Sequence, residues 1–159
     1  VLTDKQRVAD DDNPNGYYEF EAVKQTAEDS SWLQGSEGSA VKMVYRLLYD
    51  LPEDRSYRVL FMRRKLDEVL ASQQVMLNRH GVADEVSHAQ MMKLFRAEID
   101  SFYKWVNGKS HIELIDVDYN LMLADPRTEL TKINEFLGGS LNVDGMLDGV
   151  DASLYRNRK

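Results

Sequence analysis

The sequence has no cysteine, which excludes disulfides, thiolate metal sites and a cysteine nucleophile. Proline is scarce, with three in 159 residues, and there is no internal repeat and no low-complexity tract. Long apolar runs are missing. The longest is Val59-Leu60-Phe61-Met62, far short of the roughly 18 residues that a membrane span needs. The opening Val1-Leu2-Thr3-Asp4 has no apolar core of a signal peptide, and it lacks Met, which suggests a trimmed chain or a piece of a longer protein. Positive charge is not in excess: 20 basic residues against 27 acidic give −7. That balance disfavours nucleic acid as a partner, because wrapping a phosphate backbone needs a broad basic field. A local pocket for one small anion is still compatible with it. What remains, 43% hydrophobic and 30% charged, is the composition of a globular domain, and the length predicts a single domain over 1–159.

Periodicity and turn residues place the elements. Asp10 to Gly16 is polar and reads as loop. Apolar positions 17, 20 and 23 predict a helix over Tyr17 to Glu28. After the Gly35-Ser36-Glu37-Gly38 turn, Ala40 to Tyr45 reads as a strand, and Leu51-Pro52-Glu53-Asp54 as a turn. Tyr57 to Met62 is the strongest strand, and its apolar end predicts burial on both faces of a parallel sheet. A helix capped by Asp67 follows, with Val69, Leu70, Val75 and Met76 inward and a stop at His80-Gly81. Ser87 opens a longer helix through Trp105, with Met91, Leu94, Phe95, Ile99, Phe102 and Val106 on one face. Ile112 to Val117 is a strand. Asp125-Pro126 opens a helix that runs to Phe136 and stops at Gly138-Gly139. A short helix covers Val143 to Val150. Strands alternating with helices predict a parallel α/β sheet, with ligands bound beyond the strands' C-terminal ends, after Met62 and Val117.

Directly after the strongest strand stand Arg63, Arg64 and Lys65, just ahead of a helix N-terminus. Free N–H groups, a partial positive charge and planar guanidinium forks suit phosphate oxygens, and Ser72 adds a hydroxyl one to two turns on. The alternative is that the three cations pair with Asp67 and Glu68 on a solvated surface.

Arg64-Lys65-Leu66-Asp67-Glu68-Val69-Leu70-Ala71-Ser72 resembles the 3′-phosphate-binding segment of sulfotransferases, in which an Arg closes a strand and a Ser follows eight residues later. Tyr119 to Pro126 is similar to that family's Tyr-x6-Pro segment, which continues into a helix ending Glu135-Phe136-Leu137-Gly138. Asn13 to Glu19 and Ser153 to Arg158 also look like bacterial members, so the resemblance covers essentially the whole chain. It implies a P-loop-NTPase-like parallel sheet flanked by helices. It also implies transfer of a sulfuryl group from 3′-phosphoadenosine 5′-phosphosulfate to a hydroxyl or amine of a small-molecule or glycan acceptor, without a metal, in the cytoplasm. Arg64 and Ser72 are thereby expected to hold the 3′-phosphate and Tyr119 the adenine.

The family's Gly-x-Pro-Arg-Ser-Gly-Thr-like loop, which cradles the 5′-phosphosulfate, occurs nowhere in the sequence, so the first strand–loop–helix unit is expected to be missing. The resulting open sheet edge points to a homo-oligomer, or to a non-catalytic remnant acting as an interaction module. Arg46 stands roughly where many members carry a catalytic His, and Arg is no base near neutral pH. Glu19 or Glu21 is an alternative base, but both read first as ordinary exposed helix acids. His80, His88 and His111 have no i, i+3 or i, i+4 pairing, which disfavours a metal site. Asp10-Asp11-Asp12 and the basic Arg156, Arg158 and Lys159 read as solvated charge.

Overall fold

Two parallel strands organise the C-terminal half of the computed structural model, which describes residues 1–4, 9, 16–79 and 86–154. The Asp10–Asp12 run, His80-Gly81 and the basic C-terminus lie outside these. β1 (Tyr57–Arg63) pairs in parallel with β2 (Ile112–Asp118), from Tyr57 opposite Ile112 to Arg63 opposite Asp118. Between them run α1 (Leu66–Arg79) and α2 (His88–Val106), which pack on each other. After β2 come α3 (Tyr119–Ala124), α4 (Pro126–Phe136) and α5 (Val143–Leu147). The architecture is mixed α/β with a two-stranded parallel sheet.

The alternation of strand side chains divides the core in two. One face is aromatic. Phe61 stacks on the fully buried Phe102 of α2 at 5.0 Å between ring centroids, and Tyr103 meets Phe61 edge-on at 5.7 Å. The other face is aliphatic. Val117, Met122, Leu130 and Ile133 are buried together, with Leu60, Ile115, Leu137, Val143 and Met146 packed around them. The apolar end of β1 is therefore not buried on both faces: Met62 is 55% exposed, since the strand has one described neighbour and the helices beyond β2 cover only part of that side.

Local chemistry explains the boundaries. Ser87 caps α2 in a reciprocal box with Gln90, as its position before the apolar stripe predicts. The stripe itself is buried only near the helix's C-terminal end, at Phe102 and Val106, while Leu94 is 57% exposed. Asp125 caps α4 with Pro126 at its start, and Gly138 and Gly139 end it with φ of 107° and 78°. Asp67 is not a cap; α1 already begins at Leu66, and Asp67 lies in its first turn.

The chain divides into two compact units, Val1–Arg55 and Ser56–Lys159. The first is built of short 3₁₀ turns at Glu21–Gln25, Ser31–Leu33 and Tyr45–Asp50 around Tyr17, Val23, Leu33, Leu48 and Leu51. Two expectations fail there. The Tyr17–Glu28 helix contracts to Glu21–Gln25, because Tyr18 takes a left-handed φ of 49° and Phe20 is extended. The Ala40–Tyr45 strand reduces to a single bridge from Val41 to Leu2, with Tyr45 and Arg46 already in a 3₁₀ turn. Arg46 therefore does not end a strand.

Candidate anion-binding site

At the C-terminal ends of β1 and β2 the pleat sends two consecutive arginines to different neighbourhoods. Arg63, the last residue of β1, reaches to the aromatic side. Its Nη1 donates to the Tyr103 hydroxyl at 2.7 Å and lies 3.6 Å from Asp116, and its guanidinium sits over the Tyr103 ring at 5.5 Å. The Tyr103 hydroxyl in turn donates to Asp116 in a short hydrogen bond. Burial, and then the Asp116 carboxylate, push the Tyr103 phenol up to about 12, against the opposing pull of Arg63. Tyr103 is thus a neutral donor near neutral pH and not a base. A groove of about 410 Å³ opens beside it between α2 and β2, bounded also by Lys109, Leu114 and Asp116.

Arg64 belongs to the other neighbourhood. Its Nε donates to Glu68 Oε2 at 2.8 Å, four residues on in the first turn of α1. Its guanidinium lies over the Tyr119 ring, 5.3 Å from the centroid, within the range of a cation–π contact. Tyr119 stands there because Asp118 caps α3: one carboxylate oxygen accepts from Asn120 N at 2.8 Å and Leu121 N at 3.0 Å, turning the chain sharply after β2. The same turn brings Asn120 to the carboxylate of Glu68. Its Nδ2 donates to both Glu68 oxygens, at 3.2 and 3.3 Å, and its Oδ1 accepts from Lys65 N at 3.4 Å.

Burial separates the groups. The Glu68 side chain is 2% exposed and that of Arg64 23%, so the cation stands at the surface with the carboxylate under it. An ionised carboxylate this deep costs several kcal/mol by idealised desolvation and persists only when hydrogen-bonded and paired, as Glu68 is. A second buried acid, Glu129 of α4, accepts from Asp118 N at 3.2 Å and lies 3.8 Å from Lys132, bracing the turn from behind.

The structure thus brings Arg64 and Tyr119 into direct contact. Ser72 lies one turn beyond Glu68 on α1, so helical spacing sets it on the face that carries the carboxylate. The alternative of cations paired on a solvated surface holds for Arg64 as far as its pairing with Glu68, but that partner is buried, and Asp67 meets His88 at 3.2 Å. Asn120 is the member that sequence reasoning missed, and nothing in the sequence signalled it. Glu68 was named only as a partner on a solvated surface, and its burial was not foreseen. In the first unit, Glu19 lies 3.9 Å from Lys42, and Glu21 pairs with Lys24 at 2.6 Å. Among the described residues no three His, Asp or Glu side chains gather to hold a metal ion, and no helix is long and apolar enough to cross a membrane. No family model, no curated protein and no solved structure matches the chain.

Proposed function

We propose that the C-terminal ends of β1 and β2 carry the nucleotide half of a sulfotransferase-type site in a cytoplasmic, P-loop-like domain. The supporting observation is the Arg64 guanidinium held over Tyr119, where the strands end and α1 begins. The pairing sets a planar cation beside an aromatic ring, which suits a ligand carrying a phosphate next to a purine. Helix α1 adds its N-terminal N–H groups on the same side. These residues fit the 3′-phosphate and adenine of 3′-phosphoadenosine 5′-phosphosulfate. The co-substrate would supply the sulfuryl group, whose bond to the 5′-phosphate breaks as one forms to an acceptor hydroxyl or amine, on a small molecule or a glycan. The chain's own part is to bind and orient the nucleotide, with Arg64 at the phosphate, Tyr119 at the base and Ser72 as a further donor.

A second reading is favoured by the Gly-rich turn ahead of β1: Gly35 to Gly38 carries Glu37, which pairs with Arg55 at 2.9 Å, so this turn offers a carboxylate and not a phosphate cradle. In that reading the chain is a non-catalytic interaction module that self-associates through a sheet edge.

Calorimetric titration with adenosine 3′,5′-bisphosphate separates the two. Arg64→Lys is the better control than Arg64→Ala, because it keeps a cation for Glu68 while removing the fork. Binding that weakens about tenfold or more in Arg64→Lys, at an unchanged Tm, supports the nucleotide site. A well-folded wild-type chain that gives no binding heat supports the module.

A further inference from the structure

An acid four residues after an arginine is ordinarily an exposed partner, and such pairs on a helix are worth about 0.3–0.5 kcal/mol. Glu68 is different. It is 2% exposed, and it receives Arg64 Nε at 2.8 Å and Asn120 Nδ2 at 3.2 and 3.3 Å. A buried ion pair is weak evidence for stability, because well-packed apolar residues in its place often do as well. The geometry offers another reason for it. A guanidinium is planar, so the direction of its Nε–H, together with the plane set by the Tyr119 ring, fixes where both Nη groups stand. The carboxylate therefore sets the position of the whole fork over Tyr119. Asn120 joins the carboxylate to the backbone of Lys65 at 3.4 Å, so the start of α3 and the turn before α1 keep one geometry.

We propose that Glu68 is the positioning residue of this anion site: it holds Arg64 at the place where the 3′-phosphate of the nucleotide docks, and Asn120 ties that place to Tyr119. The inference rests on the nucleotide reading given above. Its sign is opposite to that of simple electrostatics. A carboxylate next to the binding cation repels an incoming phosphate, so if charge alone mattered, Glu68→Gln would tighten binding. If Glu68 positions the fork, the same substitution weakens it.

The test is titration of the full chain, wild type and variant, with adenosine 3′,5′-bisphosphate and with adenosine 5′-monophosphate, which lacks the 3′-phosphate. The wild type is expected to prefer the bisphosphate. Glu68→Gln should cut bisphosphate affinity about tenfold and leave monophosphate affinity unchanged, a selective loss that general loosening of the fold would not give. Asn120→Ala, which keeps the ion pair, should act in the same direction by about threefold and carries the test if Glu68→Gln does not fold. Without any ligand, the Arg64 Nε–H should exchange slowly with solvent in the wild type and rapidly in Glu68→Gln, read by NMR. Bisphosphate binding that is equal or tighter in a folded variant overturns the positioning role and leaves the nucleotide reading standing. A folded wild type that binds neither nucleotide overturns both.

Discussion

Arg63 and Arg64 are adjacent in sequence, carry the same charge and leave the same strand, yet they live in different electrostatic worlds. Arg63 meets Asp116 with both side chains well exposed, at 38% and 47%. Arg64 meets Glu68 at 23% and 2%. The first pair is bathed in water, where screening and side-chain entropy cancel most of the attraction. The second has a partner stripped of water, which is costly to form and costlier to break. One step of the strand pleat makes the difference, since it hands one arginine to Tyr103 of α2 and the other to Glu68 of α1 and Tyr119 of α3. Proximity in a structure is therefore no measure of an ion pair's worth; the solvent left around it is.

The largest expected effect attacks the buried member. Arg64→Ala strands the Glu68 carboxylate and should cost about 3–5 kcal/mol in urea unfolding. Removing both charges at once sharpens the point. Arg64→Met combined with Glu68→Leu should recover most of that loss, because an apolar pair of similar volume avoids the desolvation penalty, while nucleotide binding stays abolished. Next comes pH on the Arg63 side. The Tyr103 phenol is raised from about 10 to about 12, so its folded environment favours the protonated form. That contribution is full below about pH 10 and is lost as pH rises through 10 to 12. Thermal melts over this range should show a fall in Tm that Tyr103→Phe makes shallower. The smallest effect is that of Arg63→Ala on stability, below about 1 kcal/mol. Equal losses for Arg63→Ala and Arg64→Ala would erase the contrast.

Much of the second unit was legible in the sequence. The apolar core of β1 and the length of β2 marked the sheet, and Ser87, Asp125-Pro126 and Gly138-Gly139 carry capping chemistry that is local and so readable. Helix α3 was not legible. Tyr119 to Ala124 lies inside a segment read for its Tyr and Pro alone, and its start is fixed by the Asp118 cap just after a strand. The first unit resisted for another reason. β-branched alternation over Ala40–Tyr45 signals a strand only if a partner lies alongside, and only Val41 finds one. At the site, Arg64 and Tyr119 could be named one by one, but their contact could not, because it depends on the register that sets Arg63 opposite Asp118. Glu68 looked like any surface acid, since spacing along a helix reveals a pair and not how deeply it is buried.

The hydrogen bond from Lys65 to Asn120 closes across 55 residues of chain. Bringing two such distant points together costs about 3–4 kcal/mol of loop entropy before the contact returns anything. The anion site is thus completed only by contacts distant in sequence, although its Arg64–Glu68 pair is local. A ligand that recognises it acts as a latch on the finished fold. It should prolong the lifetime of the native state and slow its unfolding, while leaving the speed of refolding unchanged.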